Sequence, residues 1–189
     1  MRSPDKPQRR RPQKENVLMT VRKVMLSQVS GDVIEIGGGS GRSVPYFPLE
    51  RITSLTIADR RFSDGVKEID FGSVPVTFVT QTKDKLPLNN CSYDVGCLFL
   101  ALTSMKDPYF ALYELRRLLR PSGQVLFMEF YRPTGPAGLV FDGANLVRRV
   151  VARGNLNRNI ITMLEVAGFQ VESVSRCGNI FIYGSARKI

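Results

Sequence analysis

The sequence predicts an α/β domain built on a doubly wound, mostly parallel seven-stranded sheet that closes in an antiparallel hairpin. Three observations predict it. Short apolar runs of strand length alternate with stretches of helical period. The first apolar run empties into a glycine-rich turn, Gly37-Gly38-Gly39-Ser40-Gly41. The chain ends on two strand-like segments separated by a tight turn at Cys177-Gly178.

Residues 1–14 hold three prolines, a run of basic residues and almost nothing apolar, so they read as a basic, disordered tail ahead of one domain over 15–189. Residues 15–28 predict a helix whose inward stripe is Val17, Leu18, Val21, Val24, Met25 and Gln28. Val33–Ile36 reads as the first strand, with a helix expected from about Ser43. Further strands are expected over 52–58, ending at Asp59, and over 76–80 and 94–100. The last of these is apolar throughout, as a strand buried on both faces is. Asp107-Pro108 supplies an N-cap and a first-turn proline for a helix running to about Arg120, and Pro121-Ser122-Gly123 stops it before a strand over 124–130. Residues 131–155 begin Pro/Gly-rich and then carry a basic amphipathic stretch, 146–153. A helix over about 157–167 and strands over 169–176 and 179–187 complete the chain.

Composition narrows the chemistry. There is no histidine, which excludes histidine-based nucleophilic triads, histidine general bases and histidine-held metals. Cys91, Cys97 and Cys177 are odd in number and lack C-x-x-C spacing, so no metal site is expected. The net charge of +10 is unevenly placed: +6 over residues 1–30, −1 over 31–130 and +5 over 131–189. Basic flanks around a neutral centre suit a polyanion such as RNA or an anionic membrane surface, and the contact is expected through residues 1–30 and 146–153. No apolar run is long enough to span a bilayer, and a soluble intracellular protein, cytoplasmic or in the mitochondrial matrix, is the expectation.

Strand, glycine turn, then a second strand ending in an acid is a nucleotide-binding unit, with Asp59 placed to accept from ribose hydroxyls. A dinucleotide G-x-G-x-x-G read from Gly37 would need glycine at 42, where Arg42 stands. The run is instead E-x-G-x-G-x-G, from Glu35 through Gly37, Gly39 and Gly41. Further segments follow in order: Lys85-Leu86-Pro87-Leu88, then Cys91-Ser92-Tyr93-Asp94-Val95, Leu102-Thr103-Ser104-Met105-Lys106-Asp107-Pro108, Glu114 to Gly123, and Gly154 to Asn159 with Ala167-Gly168-Phe169. Together they resemble class I S-adenosylmethionine (SAM)-dependent methyltransferases of type 11, in the branch of the ubiquinone/menaquinone C-methyltransferases and the methyltransferase-like thiol methyltransferases.

That resemblance implies a Rossmann-like methyltransferase sheet, SAM as cofactor, and a set of binding positions. Glu35, Gly37, Gly38, Gly39 and Gly41 would surround the amino-acid part of SAM, and Asp59 would hold its ribose. Thr82, followed by Lys83, stands where the family carries an acid that reads adenine. Leu98 and Phe99, with Ala101 and Leu102 after them, would line the floor near the methionine end. Thr103-Ser104 replaces a frequent histidine pair, so no catalytic residue is named. Candidate acceptor-side residues are Glu129, Tyr131, Arg132, Asp142 and Asn145. Two functions stay open at this point: a methyltransferase acting on a small or lipid-like acceptor, and an RNA- or ribosome-associated protein of the same fold, either an rRNA methyltransferase or a catalytically silent assembly factor.

Overall fold

The computed structural model describes residues 17–82, 85–151 and 154–189, side chains at 148–151 excepted. Seven strands form one sheet: β1 (Gly31–Ile36), β2 (Ile52–Asp59), β3 (Val76–Thr80), β4 (Tyr93–Phe99), β5 (Leu119–Phe130), β6 (Phe169–Cys177) and β7 (Phe181–Lys188). Their spatial order is β3-β2-β1-β4-β5-β7-β6. Pairing is parallel from β3 through to β5, and β7 runs antiparallel between β5 and β6. Six strands therefore point one way and β7 opposes them, as the predicted terminal hairpin requires. The order reverses between β1 and β4, so the crevice at their carboxyl ends is the switch point where open α/β sheets take ligands.

The described residues form four α-helices: α1 (Val17–Leu26), α2 (Pro108–Leu118), α3 (Pro136–Val151) and α4 (Ile160–Val166). One core lies beneath α2 and α4 and joins Ile34, Leu98, Leu112, Leu115, Phe127 and Phe169. The other lies beneath α1 and joins Leu26, Val33, Leu55, Ile57, Cys97 and Met128. At roughly 25 cal/mol per Å² of apolar surface removed from water, these two layers are the main favourable contribution to folding. Among the described residues, no helix is long and apolar enough to cross a membrane.

Several expectations are corrected. No α-helix begins near Ser43; the chain makes a single 3-10 turn over Val44–Tyr46 and another over Leu49–Arg51. Pro45 in the first turn is compatible with a helix, but Pro48 follows it, where proline lacks the N–H a continuing helix needs and its ring clashes with the preceding turn. The inward stripe of α1 is displaced from its prediction. Val17 and Val24 are exposed, whereas Leu26 and, unexpectedly, Arg22 are buried. Helix α2 stops at Leu118, short of Arg120, because Pro121 disfavours helical backbone at the residue before it. Strand β5 starts at Leu119, with Ser122 at φ 60 in the irregular stretch that carries it past the predicted stop. The 131–155 region contains α3, the longest helix among the described residues. Its polar residues Asp142 and Asn145 turn toward the domain, while Leu139, Val140, Leu146 and Val147 are exposed.

The family-like segments prove to be ties between loops. Glu114 accepts from the Leu86 N–H at 2.7 Å and pairs with Arg117, which also donates to the carbonyls of Leu86 and Leu88. The E-x-x-R pattern thus holds down the Lys85–Leu88 segment. Arg120 bridges Asp32 and Asp94 at 2.8 and 2.7 Å and fastens the amino ends of β1 and β4. Asp107 caps α2 by accepting from Phe110 N–H, and Asn159 caps α4 by accepting from Thr162 N–H.

Candidate functional site

The glycine turn leaves β1 at the switch point. Gly37 has φ +86 and donates its N–H to the Ala58 carbonyl at 2.7 Å, tying the turn to the end of β2. These glycines were expected to allow close approach of a ligand; the chain's own atoms already lie close to them. A methyl on Gly39 would lie 2.0 Å from the Arg61 carbonyl oxygen, and one on Gly38 2.5 Å from Glu35 Oε2. The stretch after Asp59 is therefore strapped to the turn: Gly39 N–H donates to Asp59 Oδ2 at 2.8 Å, and Ser63 N–H donates to the Gly39 carbonyl at 2.8 Å. Arg61 N–H donates to the other oxygen, Asp59 Oδ1, at 3.1 Å. Each carboxylate oxygen keeps a further lone pair for a second donor.

Glu35, 2 % exposed, sits under this turn. Its Oε1 accepts from Ser43 Oγ–H at 2.5 Å, and its Oε2 is buried with no partner. Burial pushes its carboxyl up to about 7, opposed by the Ser43 hydrogen bond and by the positive charge of Arg22. Arg22 reaches in from α1, 6 % exposed, with its guanidinium 5.3 Å from the centre of the Phe99 ring. Its Nε is buried and unpartnered, and burial holds the group below its ordinary range. Sequence reasoning missed Arg22 because a cation in a helix is read as solvent-facing; the signal was its place one turn before Leu26, on the stripe that is in fact buried.

The remaining predicted positions divide. Leu98 is enclosed in the core beneath α2 and α4, whereas Phe99 faces the α1 side under Arg22. Ala101 packs against Gly37, where a methyl would lie 2.6 Å from the alanine Cβ. Thr82 is exposed after β3, and Lys83 lies outside the described residues, as do the tail over 1–14 and Asp84. Arg60 and Arg61 are exposed. The basic stretch 146–153 is only partly covered, because its arginine side chains lie outside the described set.

The acceptor-side candidates are engaged with one another or with the main chain. Glu129 is fully buried and accepts from Leu102 N–H at 2.7 Å, Thr103 N–H at 3.2 Å and Thr103 Oγ–H at 2.7 Å. Burial raises its carboxyl to about 7 against these bonds. Arg158 donates to the carbonyls of Leu102 and Met105. Glu129 and Arg158 thus hold the loop after β4 from its two sides. Arg132 forms a two-pronged pair with Asp142, which also accepts from Asn157, and this fixes α3 to the loop after it. Asn145 accepts from Leu156 N–H and donates to Asn155. The Tyr131 ring lies under the Arg176 guanidinium at 4.6 Å. Ser104 Oγ–H donates to the Leu100 carbonyl. A concavity of about 250 Å³ opens between α1 and the β5–β7–β6 face, beside Met25 and Tyr183, and none of the glycine-turn residues lines it.

A buried carboxylate oxygen without a donor beside a glycine turn, and a second carboxylate at the end of β2, are acceptors that an ammonium group and a vicinal diol could satisfy. SAM carries both groups, so the residues present suit its amino-acid and ribose ends.

Comparison with known proteins agrees. A family model described as "Methyltransferase domain" matches residues 34–127, about half of the chain. The yeast mitochondrial methyltransferase OMS1 is 28% identical over 133 residues, covering 59% of this chain and 28% of that protein. The ubiquinone/menaquinone biosynthesis C-methyltransferase UbiE of Hahella chejuensis is 28% identical over 116 residues, covering 58% of this chain and 47% of that protein. The chain thus spans about half, or less, of the curated relatives it matches. Among solved structures, a putative methyltransferase from Bacillus halodurans superposes with a TM-score of 0.69 at 15% identity, covering 89% of this chain and 97% of that one. A SAM-dependent methyltransferase from Mesorhizobium loti gives 0.67 at 17% identity, covering 92% and 98%. These structural likenesses speak to the fold. With the family model and the seven-stranded order in agreement, the chain belongs to the class I SAM-dependent methyltransferases, whose cofactor is S-adenosylmethionine.

Proposed function

We propose that the chain binds SAM across the glycine turn and transfers its methyl group to a small or lipid-like acceptor that arrives already nucleophilic. The observation that carries the binding half is the unpartnered Glu35 Oε2 beneath Gly38 at the switch point. In this reading Glu35 accepts from the cofactor's ammonium, Gly37 and Gly41 shape the turn beside it, and Asp59 takes the ribose hydroxyls in addition to the Gly39 N–H. Thr82 lies toward the adenine end. The cofactor supplies a methyl group made electrophilic by its sulfonium.

The acceptor half follows from proton accounting. Glu129 spends both oxygens on the loop after β4, Asp142 is paired with Arg132, and Thr103 donates to Glu129. No carboxyl among these candidates is left to remove a proton, and the chain has no histidine. Transfer then rests on holding the acceptor in line, and this suits an acceptor that is already nucleophilic, such as a thiolate. Calorimetric titration of SAM into the chain and into Asp59→Ala tests the reading. Saturable binding by the parent, weakened at least about tenfold in the variant, is expected, since hydrogen bonds to a charged group are worth about 1.5–3 kcal/mol. No heat at millimolar SAM overturns it.

A further inference from the structure

We propose that the outward face of α3 is a docking surface for a lipid bilayer carrying anionic headgroups, with the helix lying in the plane of the interface and its apolar side among the acyl chains. The docking surface stands whether or not the chain binds SAM.

Helix α3 is amphipathic in the reverse of the usual sense. A helix on a domain in water turns its apolar stripe inward and its polar side out. Here the polar residues face in. Asn145 is buried and accepts from Leu156 N–H at 2.6 Å, and Asp142 accepts from Arg132 and Asn157. Facing out are Leu139 and Val140, 72 % and 77 % exposed, with Leu146 and Val147 after them. The two pairs are seven residues apart, about two helical turns, so they share a face. The other exposed positions from Pro136 to Val147 are proline, alanine or glycine. Contiguous apolar surface of this kind marks an interaction site.

Three features select a bilayer as the occupant. The first is charge. Residues 131–159 carry five arginines, and Asp142 is their only acid. Cations accompanying an apolar helix face favour anionic headgroups. The second is the chemistry of the face. Protein-binding hot spots are rich in Trp, Tyr and Arg and poor in Leu and Val, and a stable interface takes about 20–30 residues a side. The α3 face offers four large aliphatic side chains and no exposed aromatic. Acyl chains ask for apolar surface alone. The third is length. Sixteen residues extend about 24 Å, and among the described residues no helix is long and apolar enough to cross a membrane, so α3 would lie along the surface.

The same helix is joined to the crevice. Asn145 holds Leu156, and the neighbouring Asn155 N–H donates to the Thr103 carbonyl, in the loop after β4, at 2.9 Å. A bilayer seated on α3 would present a lipid-like acceptor beside the carboxyl ends of β4 and β5.

The test is co-sedimentation of the full chain with vesicles of phosphatidylcholine, with and without phosphatidylglycerol. The triple variant Leu139→Gln, Val140→Gln, Val147→Gln is run alongside, with urea unfolding and equilibrium sedimentation of both proteins. Because the chain has no tryptophan, Val140→Trp places a single fluorescent reporter on the face. The expected result is binding to phosphatidylglycerol vesicles that is at least about tenfold weaker on phosphatidylcholine alone. The triple variant should lose at least about tenfold in affinity, as removal of buried apolar surface predicts, and unfold at the same urea. Tryptophan emission in Val140→Trp should shift to the blue on vesicle binding. Absence of vesicle binding, equal binding by the triple variant, or emission unchanged by vesicles overturns the proposal. So does a doubled mass that the triple variant abolishes, which would make a second copy of the chain the occupant.

Discussion

Replacing Glu35 with glutamine removes a buried acid without changing its shape, and the consequence is a change in how stability depends on pH. Burial places the Glu35 and Glu129 carboxyls at about 7 in the folded chain, against about 4.3 for an unperturbed glutamate. A raised folded value means that the folded state holds the proton more tightly than the unfolded one. The stabilisation is fully present below the unfolded value and is lost as pH climbs through about 7. For one such carboxyl the loss between pH 5 and pH 8 integrates to about 2.5 kcal/mol, taking 1.36 kcal/mol per unit of pKa. Two carboxyls give about 5 kcal/mol, comparable with the whole stability of a marginal domain. The absence of histidine keeps that window clear of the usual competing titration. The carboxylates held low by their partners, Asp32, Glu114 and Asp142, act at lower pH. Urea unfolding of the parent chain at unit pH steps from 5 to 8 should show stability falling as pH rises, and Glu35→Gln should remove about half of that fall. Stability that is flat or rises toward pH 8 in the parent, or an unchanged slope in the variant, refutes the reasoning.

Other substitutions probe the ties around the site. Gly39→Ala would place a methyl 2.0 Å from the Arg61 carbonyl oxygen, so the strap over the turn must open; a loss of about 1–3 kcal/mol in urea unfolding, with weaker SAM binding, is expected from overpacking. Arg158→Ala strips the donors from the Leu102 and Met105 carbonyls and should cost about 2–3 kcal/mol of stability by the same assay. Glu129→Ala leaves the Leu102 and Thr103 N–H groups buried without an acceptor; about 3–5 kcal/mol is the expected loss, with hydrogen exchange speeding first at Leu102 and Thr103.

Much of the architecture was legible because its signals are local. β3 is found over the predicted residues, and the Asp107-Pro108 start of α2 is read directly from cap chemistry. Errors arose where a strong motif outweighed weaker local chemistry. The glycine turn suggested a following helix, yet Pro48 stood one turn in, where a continuing helix needs its N–H and has no room for its ring. In α1, a period count based on apolar residues put Val24 inside and left Arg22 outside; tertiary contact with Phe99 reversed the two. The candidate turn, Glu35 to Gly41, and Asp59 stand out along the chain as residues, without their partners. What no spacing could reveal was that Asp59 would be bonded to Gly39, or that Glu129 would spend its oxygens on the Thr103 loop. Those are long-range pairings, fixed only once the sheet has brought the strand ends together.

The central claim is that the turn from Glu35 to Gly41, with Asp59, receives SAM. Its most direct test is a ¹H–¹⁵N correlation spectrum of the labelled full chain during titration with SAM. Saturable shifts are expected to concentrate at the Gly37, Gly39 and Gly41 amides, with Gly39 among the largest because its N–H donates to Asp59. A spectrum unchanged at millimolar SAM, or shifts confined to the concavity between α1 and Tyr183, would contradict it.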